Sequence, residues 1–136
     1  MRKFQITLLI VLSSIFCTNG AIAQNKPLAC QGEAAAGFNW VNGRWNTSLF
    51  ETNKFILVQA GKTLTTESVA KAMDSSPITV TCIDDRPLIS CLDKTGTFLL
   101  FNPLALKGTI ARALGGVVPR DKKDSVVIEV FSCTPF

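Results

Sequence analysis

The sequence contains no histidine and no tyrosine among its 136 residues. Without histidine, the chain by itself cannot form a Ser-His-Asp triad, a Cys-His pair or a histidine-ligated metal centre. Carboxylate chemistry and a Ser-Lys pair are the arrangements that remain. Ser68-Val69-Ala70-Lys71 has the Ser-x-x-Lys spacing, but the other elements that this motif needs belong to a much larger domain. The composition therefore predicts a protein that is not an enzyme.

The chain also lacks a long hydrophobic run. Its apolar stretch, residues 6–16, is too short to cross a bilayer core of about 30 Å as a helix. A positive start, Met1-Arg2-Lys3, precedes that stretch, and small residues lie one and three positions before a cut after Ala23. This pattern predicts a cleaved signal peptide over residues 1–23 and no stable membrane insertion after cleavage. A lipidated Cys17 is disfavoured because bulky Phe16 precedes it.

Strong charge of either sign is missing from the mature chain. Removal of residues 1–23 leaves 113 residues, enough for the single β-rich domain that we expect over 24–136. Arg2 and Lys3 leave with the signal peptide, so the net charge falls from +4 to about +2. The basic run at 120–123 is interrupted by an acid. A net charge this small argues against a nucleic-acid partner.

Four cysteines remain after cleavage, and no two have CxxC spacing. In an exported chain without histidine, this even number predicts two disulfides and no metal site or other cofactor. Four cysteines allow three pairings, which the sequence alone does not separate. We favour Cys82–Cys91, on neighbouring β segments, and Cys30–Cys133, which would tie the chain ends together.

The pattern of apolar residues predicts a mainly β fold with one short helix. Segments rich in β-branched residues recur every 8–12 residues between turns, which is typical of a small antiparallel β-sandwich or barrel of six to seven strands. Residues 66–73 are the one predicted helix, with Thr65 or Thr66 as cap and Val69, Ala72 and Met73 on its buried face.

Three local predictions bear on the first half of the mature chain. Residues 24–39 are expected to be irregular, with one helical turn at 33–37. Asn42-Gly43 is predicted to form a tight turn before a strand over 45–50. The segment 55–58, apolar at every position, is expected to be a central strand buried on both faces.

Aromatic residues around the Asn42-Gly43 turn are the candidate binding site. Phe38, Trp40, Trp45 and Phe50 are close in sequence, and Arg44 lies among them. Tryptophan and arginine are enriched in binding hot spots, and an arginine can stack on an indole ring. We therefore predict a binding face made by Trp40, Arg44 and Trp45. The alternative is that the two tryptophans close one end of a small barrel.

Two resemblances add to this interpretation. Gly43-Arg44-Trp45 is similar to the Gly-x-Trp motif that opens the first strand of lipocalin-like barrels, which implies a small barrel. The chain as a whole resembles short uncharacterised secreted proteins of Gram-negative bacteria, which brings no activity or site residues with it. The residues that carry this second resemblance are Cys30, Gly37–Trp40, Gly43–Trp45, Phe50 and the terminal Phe131–Cys133.

Taken together, these features predict an exported, non-enzymatic protein of the periplasm or exterior that binds another protein of the envelope or exterior. Inhibitor, immunity-type and envelope-accessory roles all fit this class. A carrier of a small apolar ligand within a lipocalin-like barrel is the first alternative. The second is a carboxylate-dependent enzyme acting on cell-wall glycan, although no acid spacing indicates the required pair.

Overall fold

A computed structural model describes residues 25–85, 87–113 and 125–136 of the chain. The predicted signal peptide and the basic run at 120–123 lie outside these residues. The elements follow in the order β1 (Lys26–Val41), β2 (Arg44–Leu49), β3 (Lys54–Ala60), β4 (Thr63–Leu64), α1 (Thr66–Met73), β5 (Thr81–Asp85), β6 (Leu88–Leu92), β7 (Thr97–Asn102), β8 (Lys107–Arg112) and β9 (Ser125–Pro135).

All strands belong to one antiparallel, barrel-like sheet that is nearly closed, so the predicted fold class is confirmed. Eight strands follow one another in the order β4-β3-β1-β9-β8-β7-β6-β5, and β2 pairs with β1 beyond the end of β3. The predicted six to seven strands are too few. The end strands β4 and β5 contact each other, and α1 packs on β3 and β7.

The longest strand, β1, occupies most of the segment that the sequence predicts to be irregular. That prediction is wrong, as is the helical turn at 33–37. β1 is paired on both sides: β9 runs along one side from Leu28 to Asn39, and β3 and β2 lie in line along the other. Alanine and glycine have weak strand propensity, so these pairings, rather than the local sequence, make the segment a strand.

The turn between β1 and β2 has the predicted form. Asn42 and Gly43 both have positive φ, 53° and 77°. These angles are typical of the type I′ turn, whose twist matches that of the two flanking strands. The chain then runs back along β1 first as β2 and, after a break at residues 50–53, as β3. A long hairpin therefore extends from the closed part of the sheet.

The core lies inside the roll. It includes the apolar face of α1 and both disulfides, Cys30–Cys133 between β1 and β9 and Cys82–Cys91 between β5 and β6. In each pair the two cysteines lie directly opposite one another on neighbouring strands, and these are the pairings that the sequence analysis favours. Within the described residues, no helix has the length and apolar composition to span a membrane.

The prediction for the helix is confirmed, and the prediction for the burial of β3 is not. α1 has the predicted bounds, and Val69, Ala72 and Met73 are buried. The expectation that β3 is buried on both faces is wrong, because Leu57 faces the core while Ile56 is exposed on the outer side.

Candidate binding surface

A β-bulge in β1 decides which side chains of the hairpin face outward. The register of β1 against β9 shifts between Gly32 and Ala34. Before the shift, Leu28, Cys30 and Gly32 are buried, and after it Ala35 is the next buried residue. Because side chains alternate between faces with a period of two, the extra residue transfers Phe38 and Trp40 from the inner to the outer face.

The predicted aromatic pair is formed. Trp40 lies directly opposite Trp45 in the hairpin, and the two rings meet edge to face with centroids 5.3 Å apart. This is a favourable arrangement for aromatic rings. Trp45 remains 40% exposed.

Arg44, the third residue of the predicted site, lies on the other face of the hairpin. It is opposite Val41, one position before Trp45, and successive side chains of a strand point to opposite faces. The structure therefore brings Trp40 and Trp45 together and places Arg44 apart from them.

An open groove of about 590 Å³ continues the outer face next to the tryptophans. Its main side chains come from three strands, and we call them the outer apolar patch: Ala36, Phe38, Thr47, Leu49, Ile128 and Val130. Phe38 is 47% exposed and Leu49 is 89% exposed. Exposed apolar clusters of this kind mark interaction sites on soluble proteins.

The reverse face of the same hairpin carries mainly polar side chains, with Val41 as an exposed apolar exception. Asn39 donates a hydrogen bond from Nδ2 to Ser48 Oγ at 3.2 Å, and Asn46 donates to the carbonyl of Arg44 at 3.1 Å. These short-range bonds support the strand pairing and the turn. The hairpin is thus amphipathic, with its apolar side turned away from the inside of the sheet.

A buried glutamate lies beside the bulge. Glu129 of β9 is 1% exposed, and its carboxylate accepts hydrogen bonds from the backbone N and the side-chain Nδ2 of Asn53, at 2.6 and 2.9 Å. Asn53 stands at the break between β2 and β3, and its carbonyl accepts a hydrogen bond from the N–H of Gly32 at 2.8 Å. A Cβ atom at Gly32 would overlap Glu129 Oε1. These three residues therefore tie the bulge, the break and β9 together.

A second buried carboxylate, Asp93, organises the turn between β6 and β7. It is 4% exposed and accepts hydrogen bonds from the backbone N–H groups of Thr95 and Thr97, at 2.8 and 2.9 Å, and from the hydroxyl groups of Thr95 and Ser75. Burial raises the pKa of this carboxyl, but the four hydrogen-bonding groups outweigh burial and hold the pKa below its ordinary value of 3.8. Ser75 follows α1, so Asp93 also fixes the end of the helix to the turn.

The other candidate chemistries find little support in the geometry. Ser68 is buried, and its Oγ accepts a hydrogen bond from the backbone N of Val58 at 3.0 Å and donates to the carbonyl of Thr65 at 2.9 Å, which is a structural role. No group of three or more acidic or cysteine side chains among residues 25–85, 87–113 and 125–136 is arranged to hold a metal ion.

Sequence reasoning missed two features of this region, one on the surface and one buried beneath it. Ile128 and Val130 belong to it although they are about ninety residues from the tryptophans in sequence, and only the pairing of β1 with β9 brings them there. Glu129 was also missed. A lone acid within an otherwise apolar strand, Val126–Phe131, is the sequence pattern that indicates such a buried acidic side chain.

Comparison with known proteins finds no matching family model, no matching curated protein and no matching solved structure.

Proposed function

We propose that this protein is a non-enzymatic binding protein of the cell envelope or exterior that recognises another protein through its outer apolar patch and the adjoining tryptophans. The carrying observation is that Phe38, Trp45 and Leu49 are exposed on one face, where Phe38 and Leu49 line an open groove. Partly exposed aromatic side chains surrounded by smaller apolar contacts are typical of binding hot spots. The partner surface that suits this face is apolar and nearly flat, with few charges at its centre.

The proposed location is supported by two features. The chain starts with a predicted signal peptide, and its two disulfides indicate an oxidising, extracytoplasmic environment. The mature protein purified from a Gram-negative host should begin at Gln24, which intact-mass measurement checks. A chain that retains residues 1–23 in the cytoplasm would contradict the location.

The alternatives are less well supported. A carrier needs space inside the barrel, whereas α1 and side chains such as Phe101 and Leu99 fill the described interior with almost no exposed surface. A glycan-cleaving enzyme needs two carboxyl groups facing one cleft. The buried carboxylates Glu129 and Asp93 instead accept hydrogen bonds from neighbouring backbone, which supports structural roles.

The test is photo-crosslinking in the exporting cell. A photoreactive residue replaces Leu49 on the patch or, as a control, Lys62, an exposed residue in the turn between β3 and β4. The crosslinked protein is identified by mass spectrometry and purified, and its affinity for the oxidised mature protein is measured by calorimetry.

The proposal expects a partner that is crosslinked from position 49 and not from position 62. Trp45→Ala should weaken its binding by at least tenfold, in line with a hot-spot loss of about 1.4 kcal/mol or more. Arg44→Ala, on the other face, should leave the affinity within about threefold. An affinity unchanged by Trp45→Ala, or equal crosslinking from both positions, would overturn the proposal. Saturable binding of a fatty acid without any protein partner would favour the carrier.

A further inference from the structure

The free edge of β2 has backbone groups available for another strand. Phe50, directly after β2, donates its N–H to the carbonyl of Ala35 at 2.9 Å. Hydrogen-bonded and non-hydrogen-bonded pairs alternate along an antiparallel ladder, so Ser48, Asn46 and Arg44 also direct their backbone groups towards β1. Trp45, Thr47 and Leu49 therefore direct theirs away from β1. In the described part of the chain, β1 is the one strand that pairs with β2.

This edge lacks the devices that normally keep sheet edges apart. Charged side chains, proline and very short strands are the usual protection. The strand β5, at one end of the sheet, carries Asp84 and Asp85, and β4 is only two residues long. β2 instead presents tryptophan, threonine and leucine, with one charge, Arg44, at its start. By these criteria β4 and β5 are protected edges, and β2 is an unprotected edge.

We propose that β2 pairs antiparallel with β2 of a second copy of this chain, across a two-fold axis at Thr47. In this register Thr47 lies opposite Thr47 of the second copy, and Trp45 lies opposite Leu49 of the second copy. Thr–Thr and aromatic–aliphatic pairs are favourable across strands. Asn46 then lies opposite Ser48 of the second copy on the reverse face, so polar residues meet polar residues. Each residue whose backbone N–H and C=O point away from β1 lies opposite another such residue in the second copy.

Like charges do not meet in this register. Arg44, the one charged residue of β2, lies opposite Phe50 of the second copy. A register shifted by two residues would lose the Thr47 pair and place Trp45 opposite Thr47 or Glu51 of the second copy.

The size of the edge sets the strength of the association. Two paired strands of six residues extend over about 20 Å, and an interface of this kind falls in the class below about 1,200 Å². We expect a reversible dimer with a dissociation constant of about 10–100 µM. The paired edges would join the outer faces of the two copies into one continuous apolar surface. This self-association requires no other partner, so it stands or fails independently of the proposed function.

The test is sedimentation equilibrium of the oxidised mature protein from about 5 to 500 µM, a range that spans the expected constant. Wild type should change from monomer to dimer across this range. Thr47→Pro removes an outward N–H without removing a bond to β1 and should remain monomeric. Thr47→Val keeps the backbone donor and the β-branched shape, and should still dimerise. Circular dichroism establishes that both variants are folded.

A wild-type protein that is monomeric throughout, or a folded Thr47→Pro variant that still dimerises, would overturn the proposal.

Discussion

The closed part of the sheet and the β1–β2 hairpin use the same alternation of side chains in opposite ways. Around Cys30–Cys133 the apolar residues face inward, onto α1 and the core. In the hairpin the aromatic residues Phe38, Trp40 and Trp45 face outward, and Asn39 and Asn46 occupy the reverse face. One extra residue in β1, at the bulge after Gly32, separates the two patterns.

The difference shows how a single strand can serve both stability and recognition. Both halves of β1 are paired with strands on two sides, but the first half is also fixed by a disulfide, and the second half turns its large aromatic side chains to the outer face. Because the hairpin is anchored in this way, its exposed aromatic face does not need to be buried for the protein to fold. Four predictions test this division of roles, from the largest expected effect to the smallest.

Loss of the long disulfide should have the largest effect. Cys30→Ala with Cys133→Ala opens a loop with a sequence separation of 103, which on the chain-entropy model lowers the free energy of unfolding by about 4–5 kcal/mol. Cys82→Ala with Cys91→Ala opens a separation of 9 and should cost about 2–3 kcal/mol. Urea unfolding of the two double variants measures the comparison. Equal losses would show that loop length does not decide the contribution.

Substitution of the glutamate beside the bulge should come next. Glu129→Gln replaces one acceptor oxygen with a donor that faces Asn53, so a buried hydrogen bond is lost at a cost of about 1–3 kcal/mol in unfolding free energy. Glu33→Gln, at an exposed position of β1, is the matched control and should change stability by less than about 0.5 kcal/mol. A Glu129→Gln variant as stable as the control would contradict the role of Glu129 in holding the break between β2 and β3 against β9.

Acid should weaken the closed part through Asp93. Its pKa is lower in the folded than in the unfolded protein, so its contribution is complete above the unfolded pKa and is lost as the pH falls through the folded pKa. Asp93→Asn should cost about 1 kcal/mol at pH 7, and its difference from wild type should shrink below pH 3.8. Thermal unfolding from pH 7 to pH 2 measures both proteins. A difference that stays constant with pH would contradict this role.

The smallest effect on stability is expected in the hairpin. Leu49 is 89% exposed, so Leu49→Lys should change the free energy of unfolding by no more than about 0.5 kcal/mol. The same substitution places a charge on the patch and on the edge of β2, and should reduce partner binding and self-association. Leu57→Lys, in the core of the neighbouring strand, should by contrast prevent folding. A large stability loss for Leu49→Lys would mean that the patch is part of the core.

Much of the fold was predictable from local patterns. α1 and the Asn42-Gly43 turn lie where the sequence predicts them. Each depends on residues within a few positions of one another. The strand β1 was not predictable, because its alanines and glycines have no strong preference and its order comes from partners far along the chain.

The sequence by itself determined the absence of histidine chemistry, the turns, the helix and the residue types that make the binding surface. The tertiary structure alone decided which of them share a face. Arg44 and Trp45 are adjacent in sequence yet lie on opposite sides of a strand, whereas Phe38 and Ile128 are ninety residues apart yet lie on the same side of neighbouring strands. The physical reason is that side chains alternate along a strand, so one bulge or one pairing partner reassigns every residue beyond it.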